Sequence, residues 1–224
     1  VPADEIFVLH KLMSGSFRVG VSSGLVVRGL ALALERDVSL LENRLAGEFK
    51  PTVMFWESLL NDDAERSASQ PYPFMLAHGL EPNFQPSAEW QFEWKWDGIR
   101  AQALKRDGAV YLWSRGEGNV TAQFPEITAI LEGLPDGTVL DGEIVAWQSG
   151  AVLPFAVLQT RLGRKTVTAK ELDAAPVTLL AYDLLEEGGV DLRPLPLSER
   201  RARLEALARS HPVVQPTELL HPQD

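Results

Sequence analysis

Cysteine is absent from the 224-residue sequence. Disulfide frameworks and thiolate zinc sites are therefore excluded, and the composition suits a reducing cytoplasm, where the protein is expected to reside. No apolar run approaches the roughly 18 residues that a membrane-spanning helix needs, so no membrane partner is expected. A secretory leader is not visible either, because Asp4 and Glu5 stand where a basic stretch would be required. Positive charge is scarce. Twenty-one Lys and Arg against 31 Asp and Glu leave a formal net charge of −10, which excludes a protein that coats nucleic acid by bulk charge alone. Local basic clusters could still touch phosphates. No internal repeat or low-complexity tract occurs. The chain opens on Val1 rather than Met, and it is read as a piece of a longer protein. What is present suffices for a packed core: hydrophobic residues make up 45% of the sequence, and the length fits one large domain or two small ones.

The first part carries helical periodicity. Leu25, Val26, Leu30, Ala31 and Leu34 recur at helical spacing over residues 24–35, with Ser22 and Ser23 as candidate N-caps. Residues 39–45 predict a second helix closed by Gly47, and residues 52–60 a third, with Val53, Phe55, Trp56 and Leu59 on a broad apolar surface. Residues 61–73, polar and then proline-bearing, read as a linker. Beyond it the pattern shifts to strands. Phe92, Trp94 and Trp96 alternate with Glu93, Lys95 and Asp97. Asp107-Gly108 signals a hairpin. Residues 138–147 and 177–185 predict further strands. Helices are expected over about 125–132, where Pro125 fits the first turn, over 155–162, and after Ser198 as a cap, with Leu204 and Leu207 facing inward. The expected fold is α+β: a helical domain over residues 1–70, then an α+β domain over 71–224 built on antiparallel sheets.

The densest chemical signal is "EWKWDGIR", residues 93–100. Period two places Glu93, Lys95 and Asp97 on one strand face, with Trp94 and Trp96 turned into a core; Trp90 and Trp147 are likewise expected in the core. An amine held between bulky aromatics near Arg100 would favour its neutral, nucleophilic form, while the neighbouring carboxylates oppose that shift. Gly98 permits a tight turn and close approach of a ligand to the backbone. Arg100 offers a planar fork for phosphate or ribose oxygens. Taken alone, the same octet also fits an exposed strand of alternating charge that ends in an Asp-Gly turn.

The octet resembles the Lys-x-Asp-Gly-x-Arg motif of ATP-dependent DNA ligases, RNA ligases and mRNA capping enzymes. "WSRGEGNVTAQFPE" (residues 113–126), "LDGEIVAW" (140–147) and "LLAYDLLEEGG" (179–189) resemble the next three blocks of the ligases, in the family's order. "PYPFMLAHGLE" (71–81) is similar to the ligase segment that enters the adenylation domain. The resemblance implies an adenylation, or nucleotidyltransferase, domain that uses ATP and magnesium and acts, as a monomer, on nicked duplex DNA. Lys95 would take AMP from ATP as lysyl-AMP. Glu93 would read the adenine edge, Arg100 and Arg115 would hold ribose and phosphate oxygens, Glu143 would bind the ribose hydroxyl or help place the metal, and Tyr182 would stack on adenine. From the residues alone, Arg115 also fits a surface charge, Glu143 a structural carboxylate and Tyr182 plain core.

The N-terminal segment is similar to part of the ligases' DNA-binding helical domain. Gly20 would let backbone amides approach phosphate and Arg18 would pair with one; a second basic cluster, Arg161, Arg164 and Lys165, is another candidate phosphate contact. Two further family motifs, a Glu-Gly segment and a Lys-x-Lys segment, find no match, and neither does a C-terminal oligonucleotide-binding barrel. The domain is therefore read as incomplete at its C-terminal end, with weak or no activity as it stands. An RNA ligase, a capping-type nucleotidyltransferase and a non-catalytic nucleotide- or DNA-binding module remain the alternatives.

Overall fold

The computed structural model describes residues 6, 23–36, 38–45, 50, 52–61, 68–75, 79–81, 83–85, 87, 90–115, 118–162, 164 and 167–220. Its contacts separate two compact units: Val1–Leu45 with Phe49–Glu65, and Ala46–Glu48 with Arg66–Asp224.

Among the described residues the first unit shows the helices α1 (Ser23–Leu34), α2 (Val38–Leu45) and α3 (Val53–Leu60). Val27 and Ala31 of α1, one turn apart, meet Leu41 and Leu59 in a small buried cluster. Thr52 caps α3 by accepting the Phe55 N–H at 3.2 Å. The broad apolar surface expected on α3 faces largely outward: Leu59 is buried, while Val53, Met54 and Trp56 are exposed.

The second unit is built on a sheet. Its strands β2 (Ile99–Arg106), β3 (Ala109–Ser114), β4 (Gly118–Asn119), β5 (Thr138–Gln148), β7 (Val177–Glu187) and β8 (Val190–Asp191) lie in the order β4-β3-β2-β5-β7-β8. β6 (Ala151–Val152) adds to β5 antiparallel, and β9 (Gln215–Pro216) adds to β7 in parallel. A separate pair joins β1 (Phe92–Glu93) to β10 (Leu219–Leu220). The Asp107-Gly108 hairpin forms as the sequence predicts. Both residues take positive φ, 50° and 71°, which suits the right-handed strand twist. The Asp136 carboxylate secures it by accepting both turn N–H groups at 3.0 and 2.9 Å.

Alternation along β2 and β5 assigns the two faces. Ala101, Ala103, Leu140, Ile144 and Ala146 point to the main core, where they meet Phe124, Ile127 and Leu131 from the region of α4 (Pro125–Glu132) and Leu204 and Leu207 from α7 (Leu197–Ser210). Two short helices, α5 (Phe155–Gln159) and α6 (Ala169–Ala174), complete the set. Between α5 and residue 162 the chain continues in tight three-residue turns, so the predicted helix stops short of 162. Pro196, not Ser198, occupies the N-cap position of α7.

The opposite face bears Leu104, Trp113, Val139 and Leu185, packed around Tyr72. The end of the stretch expected to be a linker is therefore pinned down. Tyr72 is 2% exposed, its N–H donates to Gln102 Oε1 at 2.8 Å, and its hydroxyl donates to Glu186 Oε2 at 2.7 Å. Arg106 reinforces the attachment, donating to Glu186 and to the Gln70 carbonyl at 2.7 Å. Pairing of the motif strand also ends earlier than its alternation predicts. β10 supplies two residues, so β1 stops at Glu93, and residues 94–96 continue unpaired. Trp90 and Trp94 are exposed rather than core, at 51% and 53%; Trp96 and Trp147 are half-buried.

Candidate active site

The face of the sheet opposite the main core changes character towards one end. Arg100 on β2, Asp141 and Glu143 on β5, and Tyr182 on β7 replace the apolar residues found further along. Arg100 lies directly across from Glu143, and Asp141 across from Asp183. The β5–β7 register then slips by one residue, so that Gly142 faces Ala181 and Tyr182 has no residue opposite it. Such a bulge re-aims the side chain it carries. Gly142 is required there, because a Cβ would lie 2.4 Å from the Leu180 carbonyl oxygen.

Arg100 is the hub. Its Nε lies 2.7 Å from Asp141 Oδ1 in an ion pair. Its guanidinium carbon lies 4.6 Å from the centre of the Tyr182 ring. Burial pushes the Asp141 carboxyl up from 3.8 to about 6, against the opposing pull of Arg100. Burial likewise pushes the Glu143 carboxyl up from 4.5 to about 7, although the charges of Arg100 and Lys95 and a hydrogen bond from the Gly98 backbone draw it down. The Tyr182 hydroxyl rises to about 12 through burial and then the Glu143 charge, opposed by a backbone hydrogen bond with Trp96. The Lys95–Gly98 turn closes directly against β5: a Cβ on Gly98 would lie 2.9 Å from Glu143 Cγ.

Lys95 is exposed and lies on the turn, outside any strand. Enclosure between two buried tryptophans is thus not how this amine is held. Arg115 is exposed, one residue beyond the end of β3, and its backbone N–H donates to the Arg100 carbonyl at 3.0 Å, which sets the two arginines side by side. Glu93 is held by groups outside its motif: its carboxylate accepts from Arg201 Nη1 at 3.0 Å and from the Thr217 hydroxyl. Arg161 does not face phosphate. It is fully buried, bonded to Glu126, to the Gln123 carbonyl at 2.5 Å and to the Ala175 carbonyl at 3.1 Å. Arg164 is exposed and paired with Glu171 at 2.5 Å. Arg18, Gly20 and Lys165 lie outside the described residues. No cluster of three metal-binding side chains occurs among the described residues, and no helix there is long and apolar enough to cross a membrane.

The profile of the ATP dependent DNA ligase domain family matches residues 75–219. The chain belongs to that family. A "Probable DNA ligase" of Koribacter versatilis is 34% identical over 210 residues, which cover 92% of this chain and 36% of the relative. A "DNA ligase" of Thermoplasma volcanium is 30% identical over 227 residues, covering 94% and 38%. The chain thus spans little more than a third of the length of these relatives. Among solved structures, mycobacterial DNA ligase D complexed with ATP and MES is 37% identical, covering 59% of this chain and 40% of that one at a TM-score of 0.49. The family membership read from the Lys95 motif and its companion blocks is upheld.

Two features of this ligase-family site were not singled out in the sequence. Asp141 is adjacent in the same "LDGE" run and shares a face with Glu143, so strand periodicity could have flagged it. Arg201 and Thr217 sit more than a hundred residues from Glu93, and no local pattern links them to it.

The raised carboxyls make stability pH-dependent. Between pH 4.5 and about 7 the folded protein retains a proton on Glu143 that the unfolded chain has released. Stability from this group is therefore greatest below pH 4.5, falls as pH rises through that window, and levels off above it. Urea midpoints measured from pH 5 to 8 should fall less steeply in Glu143→Gln than in the parent.

Proposed function

We propose that this ligase-family chain carries the adenylation chemistry of a nick-sealing enzyme that acts, as a monomer in the cytoplasm, on duplex DNA. Lys95 Nζ attacks the α-phosphorus of ATP. A P–N bond forms, the bond to the β-phosphate oxygen breaks, pyrophosphate leaves and the amine proton passes to solvent. AMP then moves from Lys95 to the 5′-phosphate at the nick, and the 3′-hydroxyl displaces it as the strand is joined.

The observation that carries this reading is the gathering of Arg100, Glu143 and Tyr182 around the Lys95–Gly98 turn, on the one face of the sheet that turns polar. Adenine stacks on the Tyr182 face that Arg100 leaves open, and Glu93 reads the edge of the base. Arg100 on β2 and Arg115, just beyond β3, hold ribose and phosphate oxygens. Glu143 receives a ribose hydroxyl or a magnesium ion. Asp141 is paired with Arg100 and Asp183 with Arg200, whereas Glu143 forms no ion pair among the described residues and accepts from the Gly98 backbone. One protein carboxylate together with phosphate oxygens is a donor set that magnesium accepts. Bound magnesium supplies neutralisation of the triphosphate charge; orientation falls to the protein's own side chains. Arg18, Gly20, Lys165 and the exposed Arg164 are assigned to DNA.

The test is incubation with labelled ATP and magnesium. Label in the α-phosphate should become protein-bound, label in the γ-phosphate should not, and nicked duplex DNA should discharge the bound AMP. No protein-bound label from α-labelled ATP, or preferential discharge by nicked RNA, would overturn the assignment.

Gly98 provides a second check. A Cβ there would lie 2.3 Å from the Ile144 carbonyl oxygen and 2.9 Å from Glu143 Cγ. The β5 backbone cannot retreat, so Gly98→Ala should push the turn and its lysine away from Glu143. The labelling rate should fall by about a hundredfold, the cost of misplacing a reacting group by roughly 1 Å.

A further inference from the structure

The carboxylate of Glu93 is gripped from outside its own motif. Oε1 accepts from both Arg201 Nη1 and Thr217 Oγ1. Oε2 accepts no hydrogen bond among the described residues and is not sealed from solvent. One oxygen is thus fixed and the other is presented.

The gripping groups are themselves held. Arg201 lies on α7, 8% exposed, with its whole fork committed: Nε to Glu205 at 2.8 Å, Nη1 to Glu93 at 3.0 Å and Nη2 to the Thr217 carbonyl at 2.8 Å. Thr217 is 2% exposed, and its N–H donates to the Ala181 carbonyl at 2.8 Å, next to Tyr182. The adjacent Arg200 fastens α7 to β7 independently, through paired bonds to Asp183 at 3.0 and 2.8 Å. One scaffold therefore sets both Glu93 and the segment that carries Tyr182.

We propose that Arg201 and Thr217 are positioning residues for base selection, holding Glu93 so that Oε2 meets the exocyclic amine of adenine. Guanine carries a carbonyl at that place, which would set acceptor against acceptor. A released Glu93 would spread over several rotamers, and the preference would weaken. This inference rests on the reading of the site as an ATP pocket.

The experiment compares Thr217→Val, Thr217→Ser and Arg201→Gln with the parent protein, each checked by thermal melting. The concentration dependence of lysyl-AMP formation is measured with ATP, and equilibrium binding of ATP and GTP is measured in a Lys95→Ala background. Thr217→Val and Arg201→Gln should raise the KM for ATP roughly tenfold, keep kcat within about twofold, and reduce the ATP-over-GTP preference by the same factor as KM. Thr217→Ser, which retains the donor, should keep the parental KM and preference. The proposal is overturned if folded Thr217→Val keeps the parental preference, if Thr217→Ser fails as Thr217→Val does, or if kcat alone falls. It is also overturned if Lys95→Ala protein binds the two nucleotides alike. Absence of covalent label in the parent protein would instead sink the role of Lys95, while the binding preference still decides the role of Arg201 and Thr217.

Discussion

Lys95→Ala should abolish covalent AMP on the protein, lowering label from α-labelled ATP by at least roughly a thousandfold, because no neighbouring side chain offers a substitute amine at the turn. Lys95→Arg should fail equally, since a guanidinium keeps its proton and cannot act as the nucleophile. Neither change should disturb the fold. Lys95 is exposed and outside the strands, and substitutions at such places usually alter stability by no more than about 0.5 kcal/mol. Intact-mass measurement after exposure to ATP, with thermal melting as the control, separates lost chemistry from lost structure. The Lys95 charge also draws the Glu143 carboxyl downward, so Lys95→Ala should move that carboxyl further up, which carboxyl-carbon NMR titration can follow. Retention of parental labelling in either variant would remove Lys95 from the mechanism.

Arg161→Met should unfold the second unit at lower urea, with a loss of about 1–3 kcal/mol, the usual cost of leaving buried hydrogen-bonding groups unpaired; Glu126, 28% exposed, is partly rescued by water. The guanidinium lies fully buried, 5.1 Å from the Phe124 ring centre. It links Glu126 in the first turn of α4 to the carbonyls of Gln123 and Ala175. Removing it strands a carboxylate and two carbonyls at once. Adding Glu126→Gln should recover part of the loss, since the stranded charge is then gone. A loss below about 1 kcal/mol in the single variant would indicate that water satisfies these groups, as it does for surface pairs.

The same arginine marks where sequence reading ran short. Arg161, Arg164 and Lys165 form a basic cluster in the chain, and a cluster reads as a surface. Burial depends on Glu126, 35 residues upstream, and no local pattern encodes that meeting. The opposite error occurred at Trp90 and Trp94, where aromatic bulk suggested core but both rings are exposed, one before and one after the two residues of β1 that pair with β10. Features carried by short-range rules were legible. Asp107-Gly108 fixed its hairpin through positive φ, and alternation along β5 set Asp141 and Glu143 on one face. Tyr182 was legible from its motif, although the bulge that re-aims it was not. Glu93 shows the limit most clearly: its neighbours indicate its place in the motif, while the groups that hold it come from α7 and from Thr217.

The pairing of Phe92 with Leu220 has a consequence for the order in which the molecule matures. The Asp107-Gly108 hairpin can close as soon as its few residues exist, whereas β1 must wait for a partner more than a hundred residues later, across a long and entropically costly loop. A growing chain that has not yet been made as far as Leu220 has its central sheet but nothing to dock the strand that leads into Lys95. The turn that carries Lys95 would then be tethered only after the sheet behind it is already in place.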